Sequence, residues 1–286
     1  MSFVPSRRRC GRWRHMSERP RLGFVGVGTI AEALITGMCA GGEQRAIFLL
    51  SPRNEAIAKR LAERYPFVKV ATGNQAVVDG SDIVFLAVRP QVAADVLGTL
   101  KFRPDQTIVS LIATFDAARL RTLIAPATKV ARVVPLPAVA HRLGPLLLHP
   151  PIPEIAGLLA GLGRLIQLQN ESDLDAFWAT TGLMGSYFGW LDEIAGWLAR
   201  QEVEDTQVRP FVAAMFEALA VTAAAHSREG FDRLVVEHST PGGLNEQAYR
   251  ELRAAGWTSL VSQALDLIHA RILGQATFAD RLKSTR

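Results

Sequence analysis

The sequence predicts an α/β protein in two parts, a doubly wound parallel sheet followed by an all-helical C-terminal domain. Up to about residue 170, short apolar runs alternate with stretches of helical periodicity, and this unit recurs. Short strands alternating with amphipathic helices are typical of βαβ crossovers and of a parallel sheet covered on both faces. Beyond Asn170 the alternation stops, and apolar residues recur at the three- and four-residue spacing of helices.

Each predicted element follows from one such run. Strands are predicted over residues 22–25, 46–50, 68–71, 83–88, 107–113 and 130–134. Helices are predicted over residues 29–40, 55–64, 91–100 and 116–123; within residues 146–170 a strand, a helix at 155–162 and a strand at 165–168 close the sheet. Long helices are predicted over residues 173–201, 208–228 and 257–273. The expected domains are residues 22–170 (α/β) and 171–274 (helical), flanked by an extension over 1–21 and a tail over 275–286.

The positive charge of the chain is concentrated at its amino terminus. Residues 1–21 contain seven arginines and one glutamate, a net +6, while the whole chain carries +5, which leaves the remainder near neutral at −1. Nucleic-acid-binding domains carry a basic face for phosphate contacts, so we expect no nucleic acid partner. We interpret residues 1–21 as a disordered basic extension, although an Arg-rich, acid-poor segment is also typical of a transit peptide.

Composition excludes several other classes. An apolar content of 49% excludes disorder for the bulk of the chain. The richest apolar stretch, residues 133–148, contains His141, Arg142 and three prolines, so no membrane span is predicted. The two cysteines, Cys10 and Cys39, are typical of a reducing compartment, and we expect a cytoplasmic protein. The histidines lack metal-ligand spacing, so no metal site is predicted.

A glycine-rich turn connects the first predicted strand to the first predicted helix. Residues 23–31 (GFVGVGTIA) have the GxGxxA spacing of Rossmann dinucleotide-binding domains. In that pattern Gly26 permits a tight turn, Gly28 lets the backbone approach a pyrophosphate, and Ala31 keeps helix and strand close. The helix N-terminus then faces the phosphates. A chance glycine turn is the alternative, which the correct order of strand, turn, helix and second strand disfavours.

The end of the second predicted strand indicates which dinucleotide is bound. NAD sites carry Asp or Glu there, because a carboxylate accepts from the ribose 2′-OH and repels a 2′-phosphate. This chain has Ser51, Arg53 and Asn54 instead. A hydroxyl, a guanidinium and an amide suit a 2′-phosphate, so NADPH is the predicted cofactor, ahead of NADH. The alternative is that Ser51 and Asn54 only cap the following helix.

The fourth predicted strand ends in Ala87, Val88, Arg89 and Pro90. Ligands of doubly wound sheets bind at the carboxyl edge of the strands, where these residues stand. Arg89 either faces the cofactor or is a solvated loop charge.

Five segments together resemble the pyrroline-5-carboxylate reductase family, whose members make proline by reducing a cyclic imine with NAD(P)H. They are residues 23–33 (GFVGVGTIAEA), 87–91 (AVRPQ), 110–113 (SLIA), 131–135 (ARVVP) and 240–243 (TPGG). These segments and the helices around them extend from residue 22 to about residue 273 in the family's order, and TPGG after a long helical stretch is the most specific of them.

The resemblance implies a Rossmann domain, a helical domain and a small-molecule imine substrate. It also implies a homodimer, or a higher assembly, built through the C-terminal helices. The cofactor contacts that it implies are Gly26, Gly28, Thr29, Ile30, Ser51, Arg53, Asn74, Ala87, Arg89 and Pro90. Val88 and Ala113 lie in the same motifs and are further candidates.

The substrate half of the chain departs from the family. The family's Gly-Ser-Gly-Pro-Ala turn before Tyr-Phe is replaced by residues 182–186 (GLMGS), and its Met-Pro-Asn-Thr-Pro by residues 134–137 (VPLP). Where PGG is usually followed by a small residue or Thr and then by a Thr that touches the substrate, this chain has Leu244 and Asn245. We therefore predict a divergent paralogue whose imine is not pyrroline-5-carboxylate. The candidate substrate residues are Gly185, Ser186, Thr240, Pro241, Gly242, Gly243 and Asn245.

Hydride transfer to a C=N bond requires mainly that the protein position the reactants, so no catalytic triad or metal is needed. Thr240 as N-cap with Pro241 in the first helical position would open the following backbone N–H groups to a carboxylate, or would be an ordinary helix start. Asn245 could replace the family's hydroxyl, or be a polar residue of the first turn. His238 and His141 are candidate proton donors, or exposed loop histidines.

The sequence bears on two alternative functions. A β-hydroxyacid-type dehydrogenase needs an acid lysine on the first long helix after the Rossmann domain, and residues 171–200 contain no lysine. A non-catalytic NADP-binding sensor or scaffold protein would keep the cofactor fold without the substrate motif, and an NADPH-oxidation assay distinguishes it from a reductase.

Overall fold

The computed structural model describes residues 19–40 and 46–280, so nearly all of the expected extension over residues 1–21, and the last six residues of the expected tail, lie outside the described residues. The chain divides into two compact units, Met1–Leu174 and Asp175–Arg286.

The first unit is built on eight strands, and the long apolar runs of the sequence form its centre. The strands are β1 (Arg21–Val25), β2 (Ile47–Leu50), β3 (Val68–Val70), β4 (Ile83–Leu86), β5 (Thr107–Ser110), β6 (Lys129–Pro135), β7 (Pro145–His149) and β8 (Arg164–Gln167). Every residue of β4 and of β5 is buried. Burial on both faces requires continuous rather than alternating apolar sequence, which is why these runs predict strands.

Helices connect most of the strands. They are α1 (Thr29–Cys39), α2 (Glu55–Arg64), α3 (Asn74–Asp79), α4 (Pro90–Gly98), α5 (Ala117–Leu123) and α6 (Pro153–Leu159), and α7 (Glu171–Thr180) follows β8. The sequence pattern does not predict α3, because six residues are too few to show helical periodicity.

The strand order is β3-β2-β1-β4-β5-β6-β7-β8. The strand pairs are parallel except β6–β7, which is antiparallel. The doubly wound class is therefore confirmed. The prediction of a fully parallel sheet is wrong at the β6–β7 pair. The connection from Pro135 to Pro145 contains a 3₁₀ turn (Pro137–His141) and is shorter than a parallel crossover requires. The first six strands keep the 3-2-1-4-5-6 order of dinucleotide-binding sheets.

Two apolar clusters cover the two faces of this sheet. Successive residues of one strand enter different clusters: Phe24 belongs to one and Val25 to the other. The rings of Phe24 and Phe85 stack at 4.5 Å between centroids. The sheet is thus packed on both sides, and the carboxyl ends of β1, β2, β4 and β5 are held along one edge.

The second unit consists of helices. They are α8 (Met184–Arg200), α9 (Asp205–Ala225), α10 (Phe231–His238), α11 (Leu244–Ala254) and α12 (Trp257–Ile272). The single helix predicted over residues 173–201 is wrong, because a 3₁₀ turn, Thr181–Leu183, separates α7 from α8. The hydroxyls of Thr180 and Thr181 donate to the carbonyls of Phe177 and Trp178 at 2.7 and 2.8 Å, which competes with helical hydrogen bonding.

Few side chains of the second unit are buried. Among its described residues the buried apolar side chains are Ala179, Val208 and Val212. Large apolar side chains are exposed instead, including Phe188, Trp197, Phe211, Val221 and Leu244. Packing within the unit is carried by rings such as those of Trp190 and Phe216, whose centroids lie 5.0 Å apart.

Among the described helices, α9 is long and apolar enough, by length and composition only, to cross a membrane, with a mean hydropathy of 1.5. This helix lies outside residues 133–148, the stretch that we expected to be the richest in apolar residues. Only 17% of its apolar window is buried. A single helix of this kind is weak evidence for a membrane, since helices that pack against other protein have the same composition.

Candidate functional site

The glycine turn after β1 has the geometry that its motif requires. Gly26 has a φ of +91°, and a Cβ there would lie 2.8 Å from the carbonyl oxygen of Ala87, so only glycine fits. Gly28 is the N-cap of α1, and a Cβ there would meet nothing within 4 Å. The N-terminus of α1, where Thr29 and Ile30 stand, is thus open on the side of Gly28, as a dinucleotide pyrophosphate requires.

Ser51 stabilises this turn from inside the protein. Its side chain is fully buried, and its Oγ accepts a hydrogen bond from the backbone N–H of Gly26 at 2.9 Å. The backbone N–H of Ser51 donates to the carbonyl of Phe24 at 3.0 Å. The expected direct contact of Ser51 with a 2′-phosphate is therefore corrected: the hydroxyl lies inside the protein and shapes the glycine turn.

Arg53 and Asn54 follow Ser51 and have different surroundings. Arg53 is exposed. Asn54 is the N-cap of α2, and its Oδ1 accepts from the N–H of Ile57 at 3.5 Å. The capping alternative thus describes the geometry of Asn54, while the guanidinium of Arg53 is accessible to a ligand.

Several other predicted cofactor residues stand near the same carboxyl edge. The backbone N–H of Ala87 donates to Val25 at 2.9 Å, next to the glycine turn, and half-buried Val88 follows. Arg89 is exposed and is the N-cap of α4, with Pro90 in the first turn. Asn74 is the first residue of α3. Ala113 follows β5.

An ion pair between buried Arg132 and half-buried Glu171 fixes the segment that contains Ala113, and the sequence pattern does not predict it. Arg132 of β6 is 1% exposed and contacts the Glu171 carboxylate at 2.8 Å. The same guanidinium donates to the carbonyl of Ala113 at 3.1 Å. The same Glu171 oxygen accepts from the N–H of Ala117 at 2.8 Å. The available signal was an arginine inside an otherwise apolar strand, in residues 131–135.

The TPGG segment is a closed turn rather than the start of a helix. Helix α11 begins at Leu244 with Gly243 as its N-cap, so Thr240 as N-cap and Pro241 in the first helical position are wrong. The N–H of Gly243 donates to the carbonyl of Thr240 at 2.8 Å, and Gly242 has a φ of +73°. Proline second and a positive-φ glycine third are typical of a type II turn.

The donors of this turn that we expected to be open are engaged within the chain. The N–H of Gly242 donates to a carboxylate oxygen of Glu246 at 2.6 Å. The side-chain amide of Asn245 donates to the carbonyl of His238 at 2.9 Å. The interpretation of Gly242 and Gly243 as N–H groups left open to a carboxylate is therefore wrong in this structure.

The remaining candidates of the second unit are exposed. Gly185 and Ser186 lie in the first turn of α8. His238 is exposed at the end of α10, with its Nδ1 2.8 Å from the carbonyl of Leu234. Because a carbonyl only accepts, Nδ1 carries a proton there. To serve as a proton donor through Nε2, the ring must carry both protons.

The described residues contain no group of three or more His, Cys, Asp or Glu that could hold a metal ion. Cys39 lies inside α1, and burial raises the pKa of its thiol to about 12. It is therefore a core residue rather than a nucleophile.

A 3-2-1-4-5-6 sheet with an open glycine turn at the switch point between β1 and β4 defines the class: this is a dinucleotide-binding oxidoreductase fold. A family model described as NADP oxidoreductase, coenzyme F420-dependent, matches residues 21–114. The pyrroline-5-carboxylate reductase of Pseudomonas aeruginosa is 28% identical over 267 residues, covering 88% of this chain and 95% of that protein. That of Corynebacterium melassecola is 26% identical, covering 82% and 91%.

Solved structures show the same fold. The 1-pyrroline-5-carboxylate reductase of Streptococcus pyogenes superposes with a TM-score of 0.79 at 22% identity, over 90% of this chain and 99% of that one. The pyrroline carboxylate reductase of Plasmodium falciparum, solved with NADP bound, superposes with a TM-score of 0.76 at 16% identity, over 90% and 98%. The chain is therefore similar over most of its length to pyrroline-5-carboxylate reductases, the family that its motifs resemble.

Proposed function

We propose that this protein is an NADPH-dependent reductase that transfers a hydride to the C=N bond of a cyclic imine. The observation that carries the proposal is the intact dinucleotide turn, with the Cβ position of Gly28 open at the N-terminus of α1. It is supported by the similarity of 88% of the chain to a pyrroline-5-carboxylate reductase. NADPH, when bound, supplies the hydride. The chain binds and orients the reactants and keeps water away from them.

In the proposed cofactor site, the turn and the first residues of α1 hold the pyrophosphate, and Arg53 holds the 2′-phosphate. Ser51 and Asn54 act indirectly, through the turn and the cap that they stabilise. The nicotinamide half follows the ends of β4 and β5. The residues assigned to this site are Gly26, Gly28, Thr29, Ile30, Ser51, Arg53, Asn54, Asn74, Ala87, Val88, Arg89, Pro90 and Ala113.

For the substrate we propose an imine without a carboxylate. Gly242 donates to Glu246 and Asn245 donates to His238, so a substrate carboxylate would have to displace two hydrogen bonds and approach the negative charge of Glu246. A protonated iminium without a carboxylate displaces neither hydrogen bond and is not repelled by Glu246. The segments assigned to substrate are Gly185–Ser186 and the turn formed by Thr240, Pro241, Gly242, Gly243 and Asn245, with His238 as the candidate proton donor.

We further propose that residues 22–170 bind the cofactor, that residues 171–274 form the substrate and dimerisation domain, and that the protein works as a cytoplasmic homodimer. The sparse burial of the second unit supports this assembly: aromatic and aliphatic side chains such as Trp197 and Phe211 lie more than half exposed. Patches of this kind are covered by protein in stable oligomers. A second copy is the partner we assign to the apolar surface of α9, in place of a lipid bilayer.

An NADPH-oxidation screen tests the proposal. The substrates are pyrroline-5-carboxylate, pyrroline-2-carboxylate, piperideine carboxylates and uncharged cyclic imines. We expect turnover of an uncharged ring and weak or no reduction of pyrroline-5-carboxylate. A kcat/KM for pyrroline-5-carboxylate of about 10⁴ M⁻¹s⁻¹ or above, the ordinary enzyme range, would contradict the substrate assignment. NADPH binding without turnover of any imine would favour the sensor or scaffold alternative.

A further inference from the structure

The segment between β5 and α5 lies at the carboxyl edge of the sheet and is held at both ends by one ion pair, whose arginine is buried. Leu111 still continues the sheet, its N–H donating to the carbonyl of Leu86 at 2.9 Å. Beyond it, the Arg132 guanidinium holds the carbonyl of Ala113, and the Glu171 carboxylate holds the N–H of Ala117. The two charged groups contact each other at 2.8 Å.

Stability alone does not account for an arginine at this position. Its neighbours along β6, Ala131 and Val133, are fully buried apolar residues, and the Arg132 side chain is only 2% exposed. Removing the guanidinium from water is costly, and apolar residues of similar volume often stabilise a protein as well as or better than an ion pair. What the ion pair provides, and an apolar pair does not, is a defined position for a carbonyl and an N–H four residues apart.

The position of this segment in the sheet indicates which ligand it would serve. Dinucleotides bind across the crevice where the strand order reverses, here between β1 and β4. The β1–β3 half carries the glycine turn and Arg53, so the β4–β6 half is left for the nicotinamide. β5 is the strand next to β4 on that side.

We infer that Arg132 and Glu171 are positioning residues, which hold residues 113–117 so that the nicotinamide end of the cofactor is correctly oriented for hydride transfer. They act through the backbone that they bind and do not touch the reacting atoms. The inference rests on the proposed NADPH-dependent function, and it predicts that loss of Glu171 impairs turnover more than cofactor binding.

The test compares full-length wild type with Glu171→Ala and Glu171→Gln. Amide hydrogen exchange is measured over residues 111–117 with and without NADPH, together with the Kd for NADPH and kcat for the best imine. In Glu171→Ala we expect faster exchange at Ala117, a Kd within about threefold of wild type, and kcat lower by about tenfold to a hundredfold, as for a displacement of about 1 Å in a reacting group. Glu171→Gln keeps an acceptor for the Ala117 N–H and should recover most of kcat.

Asp82→Asn is the matched control. Asp82 binds the side chain and the backbone N–H of Arg21 at the opposite edge of the same sheet, so this variant loses an ion pair without touching residues 113–117. It should leave kcat and exchange over that segment unchanged. If Glu171→Ala does not fold, the Arg132→Met, Glu171→Leu double variant removes both charges together and should show the same loss of kcat with a native Kd.

Two results would overturn the inference. One is faster exchange at Ala117 with kcat within twofold of wild type. The other is a parallel loss of NADPH affinity, kcat and melting temperature, which is what a merely structural ion pair gives. If none of the imines supports NADPH oxidation by the wild type, the proposed function fails instead. The inference is then tested by hydrogen exchange alone. It is rejected if NADPH does not protect residues 111–117 of the wild type from exchange.

Discussion

Replacing Ser51 by alanine separates two roles that the sequence could not distinguish. In the structure the Ser51 hydroxyl accepts the N–H of Gly26 at 2.9 Å and is buried, whereas a residue that recognises a 2′-phosphate must reach the surface. Ser51→Ala removes the acceptor from below the glycine turn. We therefore expect it to weaken the binding of NADPH and NADH alike.

The magnitude follows from the hydrogen bond that is lost. Leaving a buried donor without an acceptor costs about 1–3 kcal/mol. For a chain of this size each kcal/mol lowers the melting temperature by roughly 2–4 °C. The part of this cost that falls on the cofactor-binding conformation of the turn raises the dissociation constants of NADPH and NADH by the same factor. The ratio of the two constants is therefore unchanged.

Titration calorimetry with both cofactors measures this ratio, and Arg53→Ala is the contrasting variant. Loss of a charge-assisted contact with the phosphate costs about 1.5–3 kcal/mol, roughly a 10- to 150-fold loss of NADPH affinity, with NADH unaffected. A Ser51→Ala protein that loses NADPH affinity while keeping its affinity for NADH would refute the buried-support role and restore the direct contact.

Five further predictions concern the site and the helices. Gly26→Ala places a Cβ 2.8 Å from the Ala87 carbonyl at a φ of +91°, so it should abolish cofactor binding in fluorescence titration; near-native affinity would contradict the turn geometry. Glu246→Gln removes the charge beside Gly242 and should raise kcat/KM for carboxylated imines relative to uncharged ones. An unchanged ratio of the two kcat/KM values would count against the substrate assignment. Asn245→Ala removes the side chain that donates to the His238 carbonyl and should lower turnover of the uncharged imine. Burial raises the pKa of Cys39 to about 12, so in a variant lacking the other cysteine the thiol should stay protonated and resist iodoacetamide at pH 8, reacting as the pH approaches 12 or on unfolding. Trp197→Asp should shift light-scattering mass toward the monomer, and an unchanged mass would reject this helix face as the interface.

The sheet was predictable because its strands are buried on both faces, and such strands leave uninterrupted apolar runs. The apolar pattern does not encode strand direction, because residues 146–148 would be equally apolar in a parallel or an antiparallel strand. Loop length was the usable signal, because the short connection from Pro135 to Pro145 excludes a helical crossover.

The candidate site was predictable only in part. The glycine turn depends on local backbone geometry, which adjacent residues encode, and Gly26 and Gly28 have the geometry that the motif specifies. The partner of Ser51 lies 25 residues away and that of Arg132 lies 39 residues away, so their contacts depend on tertiary packing that a sequence pattern does not record. Glu246 was missed because its link to Gly242 depends on the closed turn before α11.

The small number of buried side chains in the helical unit has a consequence for how the proposed homodimer would fold. Three fully buried apolar side chains among its described residues are few to set against the conformational entropy of more than a hundred residues. If a second copy supplies the missing interior, folding of this unit is governed by mass action, and its melting temperature rises with protein concentration. Dilution then unfolds the helices before the sheet, and expression level sets the fraction of chains that are competent for turnover.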